Sequence, residues 1–148
     1  MFNFSVGEYG IFGHVGKGAL IKDVTFVNVT YKADYLSALL GATVRGATIS
    51  NLKLTVSGYT IGEFPHAQGF LASRYLQEST IKDVKINARN CVVFTVLGWT
   101  VKGNTFTGVD VKVKSYTVLG YNDDARNDTT KITALDGVTV TATTATAE

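Results

Sequence analysis

The chain has 148 residues, 45% hydrophobic and 18% charged, which suits one domain with a sizeable core under a surface poor in charge. Fourteen Lys and Arg against twelve Asp and Glu leave a formal charge of +2, too near balance to drive binding to DNA or RNA. Cys91 is the only cysteine, so an internal disulfide is excluded, and no run of about 20 apolar residues announces a membrane span.

In chain order, Phe2, Phe4 and Val6 alternate with polar neighbours like a strand cut from something longer. Met1–Val6 has no basic stretch followed by a continuous apolar run, so it is not read as a signal peptide. For a protein working outside a cell, the export signal is then expected in sequence beyond this chain. A glycine-rich stretch, Gly10–Gly18, leads into the hexad Ile21-Lys22-Asp23-Val24-Thr25-Phe26. Its pattern recurs as Ile49-Ser50-Asn51-Leu52-Lys53-Leu54, Ile81-Lys82-Asp83-Val84-Lys85-Ile86 and Phe106-Thr107-Gly108-Val109-Asp110-Val111. A fifth copy is Leu135-Asp136-Gly137-Val138-Thr139-Val140. Successive starts lie 28, 32, 25 and 29 residues apart. A period of that size marks stacked supersecondary units.

Glycines punctuate the same units. Gly13, Gly41 and Gly98 precede the hexad by eight residues, and Gly18, Gly46 and Gly103 by three. Glycine supplies positive backbone angles at little steric cost, so each pair predicts tight corners. The third unit has Ser73 and Glu78 at those offsets, so its turn is expected to use another geometry or to be built differently. Between corners, Val24/Phe26, Leu52/Leu54/Val56, Val84/Ile86 and Val109/Val111/Val113 alternate with polar residues, the period of a strand with one buried face. Tyr59/Ile61, Val92/Phe94/Val96 and Tyr116/Val118 are further strand candidates. Short strands and sharp corners at this repeat length predict an all-β fold, a parallel β-helix of about four to five coils. The β-helix domain is expected over residues 1–140, with the Thr/Ala-rich 141–148 as a low-complexity tail or linker. Stacking would place Ile21, Ile49, Ile81 and Phe106 in one interior column, and Val24, Leu52, Val84 and Val109 in another. Asp23, Asn51, Asp83 and Gly108 would form a polar corner ladder, since Asn and Asp tolerate turn geometry and bond nearby backbone.

Candidate chemistry is sparse. Asp123, Asp124 and Asp128 supply closely spaced oxygen ligands in a loop, a candidate calcium site and the only cofactor suggested; a solvated insertion is the simpler reading. His14 and His66 lie in different units, with no announced zinc ligands beside them. No Gly-x-Ser-x-Gly elbow is present, and Gly10–Gly18 lacks the Gly-Lys-Ser/Thr of a phosphate loop. Cys91 reads as a core thiol. Trp99 and Tyr121 follow the corners Leu97-Gly98 and Leu119-Gly120, and form either a small aromatic ledge for a sugar or partner or ordinary interior packing. Lys53, Lys85 and Asp110 hold equivalent outward positions where stacked charges can touch a sugar chain, or where Lys85 and Asp110 pair with each other.

Gly10-Ile11-Phe12-Gly13 through Ile21-Lys22-Asp23-Val24, and Leu40-Gly41 through Ile49-Ser50-Asn51-Leu52, resemble the GLUG-type repeats of bacterial surface proteins. The resemblance covers roughly residues 10–111 and weakens at 70–80. It implies a right-handed parallel β-helix in a secreted or cell-surface protein associated with adhesion, and it carries over corner glycines and apolar columns but no catalytic residue. The expected function is therefore a non-enzymatic adhesive or stalk module whose candidate partners are a glycan, a host-cell protein, further copies or neighbouring domains. A phage tail attachment protein and a polysaccharide lyase or hydrolase fragment are the alternatives, because similar coils serve several activities.

Overall fold

Ile49 and Leu52 lie three residues apart, a spacing that in a straight strand sends side chains to opposite faces. Both are fully buried, as are Ile81 and Val84 one repeat later. The chain achieves this by bending at the residue before the second of each pair, which takes the left-handed conformation: Asp23 (φ 56°), Asn51 (49°), Asp83 (54°), Gly108 (62°) and Gly137 (82°). One corner recurs in every repeat, and it fixes which face of each strand enters the core.

The computed structural model describes residues 4–6, 9–33, 38–61, 69–123 and 129–143, and shows a parallel β-solenoid of roughly four turns. The strands are β1 (Phe4–Val6), β2 (His14–Val15), β3 (Leu20–Ala33), β4 (Gly41–Arg45), β5 (Thr48–Ile61), β6 (Ala72–Gln77), β7 (Thr80–Thr95), β8 (Thr100–Lys102), β9 (Thr105–Val118), β10 (Gly120–Tyr121), β11 (Lys131–Ile132) and β12 (Val138–Ala142). Each turn pairs one short and one long strand. The long strands stack as β1-β3-β5-β7-β9-β12, and the short ones as β2-β4-β6-β8-β10-β11. Pairing among the described strands is parallel except where β11 runs back along β10.

The predicted columns form in register. Ile21, Ile49, Ile81 and Phe106 pair in sequence, as do Val24, Leu52, Val84, Val109 and, from the fifth hexad, Val138. Val15, Val44, Leu76 and Val101 line the inner face of the short sheet. A third ladder joins the sheets: Leu39 donates to the Phe70 carbonyl at 2.9 Å, Phe70 to Val96 at 2.8 Å and Val96 to Val118 at 3.1 Å. Tyr31 crosses the core to donate its hydroxyl to that Phe70 carbonyl at 2.8 Å, with the two rings edge to face at 5.5 Å. The buried phenol thus has the partner it needs.

Two expectations about the third repeat are corrected. Glu78 keeps the left-handed geometry of its column, at φ 51° beside Gly18 (83°), Gly46 (69°) and Gly103 (70°), so the turn is conserved and the side chain bears the strain. The partner of Gly41 is Ala72 and not Ser73, because β6 carries a bulge between Ala72 and Tyr75 that absorbs one extra residue. Strand boundaries differ as well. The segments around Tyr59, Val92 and Tyr116 are continuations of β5, β7 and β9, not separate strands. A register shift between Ala88 and Val92 also reverses the alternation in β7, so that Cys91, Val93 and Thr95 are buried while Val92 is 48% exposed.

Candidate functional site

The alternation that buries Leu52, Leu54 and Val56 in β5 turns Lys53, Thr55 and Ser57 outward. The same phase turns out Lys85, Asn87 and Arg89 from β7, Asp110, Lys112 and Lys114 from β9, and Thr139, Thr141 and Thr143 at β12. Parallel register assembles these into columns. Thr25, Lys53, Lys85, Asp110 and Thr139 follow one another up the stack, and beside them Thr55, Asn87 and Lys112, capped by Thr141. Neighbouring strands sit about 4.8 Å apart, so each side chain adjoins its counterpart in the next coil.

Lys53, Lys85, Asn87, Asp110, Lys112 and Thr141 line a shallow groove of about 310 Å³ on this face. Lys85 Nζ lies 3.3 Å from the Asp110 carboxylate, and both side chains stay largely exposed (65% and 49%). Such a pair adds little to stability in water, about 0–1 kcal/mol. Its consequence is local: the one carboxylate of the groove is shared with Lys85, while Lys53 faces Lys85 across the ladder as a like charge.

A second groove, of about 720 Å³, lies on the short-strand face among His14, Lys17, Thr43, Arg45, Gly46 and Glu78. There Arg45 Nε lies 3.2 Å from Glu78 Oε2, which bridges coils two and three. Exposed ion pairs therefore span adjacent coils on both faces.

The aromatic candidates occupy a different place. Tyr121 is 2% exposed, and its ring packs 4.8 Å from that of Trp99. Phe94 completes the cluster, stacked 6.3 Å from Trp99 and 6.4 Å from Tyr121. Tyr121 is thus a packing residue, and only the half-buried Trp99 and Phe94 reach the surface there. Sequence alternation groups Phe94 with Val92 and Val96, whereas the register shift in β7 changes that phase and leaves Phe94 half-buried beside Trp99.

Of the acidic loop, Asp123 is exposed, whereas Asp124 and Asp128 lie outside the described residues, as does His66. Among the described residues no group of three or more His, Cys, Asp or Glu is placed to hold a metal ion. Cys91 is 2% exposed, and burial pushes its thiol up to about 11. Among those same residues no helix is long and apolar enough to cross a membrane.

One set of structural polar residues escaped the sequence reading. Asn104 accepts from the Ser79 amide at 2.9 Å and donates to the Leu76 carbonyl at 2.7 Å, while the Ser79 hydroxyl accepts from Ala47 at 3.2 Å. They stitch three successive turns together at the short-to-long corner. A single Asn in a loop gives no signal of this in sequence. Compared with known protein families, curated proteins and solved structures, the chain matches none.

Proposed function

We propose that this chain is a rigid stalk and adhesive module of a bacterial cell surface, acting by binding and not by catalysis, with carbohydrate as the ligand. The observation that carries this reading is the in-register stacking of the long strands β3, β5, β7, β9 and β12. Consecutive hydrogen-bonded coils spread an axial load over many parallel backbone bonds, the property a stalk needs. The same stacking repeats each outward side chain at the coil spacing, which suits multivalent contact with a repeating polymer. The likeness of the corner glycines to GLUG-type repeats supports a surface location.

The test is a screen of the intact chain on arrayed neutral and acidic glycans, with and without calcium. Saturable binding to any glycan class supports an adhesive module. Absence of binding in both conditions would leave a stalk whose recognition element lies elsewhere, and would overturn the carbohydrate part of the reading.

A further inference from the structure

We propose that the groove crossing β5, β7, β9 and β12 binds a linear acidic polysaccharide, laid along the solenoid axis. This rests on the adhesive reading above and narrows its ligand to a polymer carrying carboxylate or sulfate groups.

Charge distribution is the first argument. Beyond the left-handed corner of each coil, the outward positions of β5, β7 and β9 carry Lys53, Lys85, Arg89, Lys112 and Lys114 but one acidic residue, Asp110. That face carries a formal +4. A cationic face of this kind draws an anionic ligand toward it.

Shape is the second. The groove takes its lining from four successive strands, three residues each from β5, β7 and β9 and Thr141 from β12, so its long direction crosses the strands. A small ligand would need convergent groups in one enclosed pocket. Here equivalent groups repeat from coil to coil in an open trough, an arrangement that serves a ligand with its own repeat.

The third is the chemistry between the charges. Thr55, Asn87 and Thr141 lie beside the lysines and offer hydroxyl and amide groups to sugar hydroxyls, while the amines of Lys53 and Lys112 pair with the acidic groups and Lys85 adds its charge from beside Asp110. The outward positions of β5, β7 and β9 from Lys53 to Ser57, Lys85 to Arg89 and Asp110 to Lys114 contain no aromatic ring. Single-stranded nucleic acid is ordinarily held by base stacking on aromatics, which this face does not provide. Asp110 opposes an anionic ligand and holds Lys85 away from it.

The experiment measures binding of the full chain to polygalacturonate and to dextran sulfate, with neutral dextran, duplex DNA and phosphatidylserine vesicles as comparisons. Polygalacturonate or dextran sulfate should bind in a salt-sensitive way, and the stronger of the two identifies the acidic group. The combined Lys53→Gln, Lys85→Gln and Lys112→Gln variant should weaken that binding about tenfold or more. A charge-matched Lys22→Gln, Lys82→Gln and Lys102→Gln variant should retain it, and Asp110→Asn should tighten it. All these side chains are exposed, and circular dichroism checks that each variant keeps the fold. Equal loss in the charge-matched variant would overturn the proposal, as would equally tight binding to DNA or to the vesicles. Neutral glycans bound with the groove lysines removed would overturn this proposal while leaving the adhesive reading intact; binding to no glycan would overturn both.

Discussion

At the scale of single residues, the left-handed corners carry the fold's most specific demands. Gly18, Gly46 and Gly103 meet theirs without a side chain, whereas Glu78 adopts φ 51° with one. A left-handed L-residue costs roughly 1–2 kcal/mol, more than either an exposed ion pair or glycine's extra chain entropy, each below about 1 kcal/mol. Glu78→Gly should therefore raise stability by about 0.5 kcal/mol even though it removes the contact with Arg45. Gly46→Ala imports the same strain and brings a Cβ within 3.2 Å of Lys17 Cα, so it should cost about 1–2 kcal/mol. Urea midpoints at unchanged slope would report both, and destabilisation by Glu78→Gly would show that the ion pair outweighs the backbone. Cys91 makes a separate, pH-dependent contribution. Its thiol titrates near 11 in the folded chain against an ordinary 9 when unfolded, so between these values the unfolded state binds fewer protons than the native one. Stability should thus be intact below pH 9 and fall as pH rises toward 11. Cys91→Ala should flatten that part of the pH–stability curve relative to the parent; parallel curves would assign the decline to other groups.

At the scale of elements, the long strands differ in how well their two edges are covered. β7 is paired along its first half with β5 on one side and β9 on the other, whereas β1 reaches only Val29–Tyr31 of β3. The stretch Leu20–Phe26 is paired with β5 alone among the described strands, and Leu20 is 59% exposed. Amides there should exchange with solvent roughly a hundredfold faster than those of Thr80–Ile86, because local opening breaks one ladder instead of two. Mass-resolved hydrogen exchange would show this, and equal protection would mean that β3 opens only with the whole domain. The repeat was legible in sequence at this scale because the hexad states its own geometry: two apolar residues three apart, separated by Asp, Asn or Gly. The reversed phase of β7 beyond Ala88 was not legible, since a bulge shifts alternation without altering composition. Nor was the Ala72 alignment, because Ser73 satisfied the count of eight while the chain inserted one residue. The outward Lys53, Lys85 and Asp110 could be aligned from the repeat, but their groove and its extension to Lys112 and Thr141 require the adjacent columns in space.

At the scale of the whole molecule, stacked coils imply that stability is nearly a sum of repeat terms and nearest-neighbour interfaces. Columns that continue through every turn should then tolerate the loss of one turn, provided the register is kept. Ala47 and Ser79 hold the same corner position, since Thr80 bonds back to Ala47 and Thr105 to Ser79 at 2.9 Å in each case. Deleting residues 47–78 would join Gly46 directly to Ser79 and remove β5 and β6 as a unit. Ile21 would then stack on Ile81 and Val24 on Val84, with Val44 over Val101 in the short sheet, all apolar pairs of suitable size. The Phe70 carbonyl would be lost to Tyr31, but the Val96 carbonyl belongs to the same ladder and can take its place. The shortened chain should therefore remain folded and β-rich, with a lower unfolding midpoint. Its denaturant slope should fall by about a fifth, in line with the surface no longer buried. A collapsed but uncooperative product would show that the coils are not interchangeable, and would locate the needed specificity in features peculiar to the deleted turn, with Phe70 and the β6 bulge first among them.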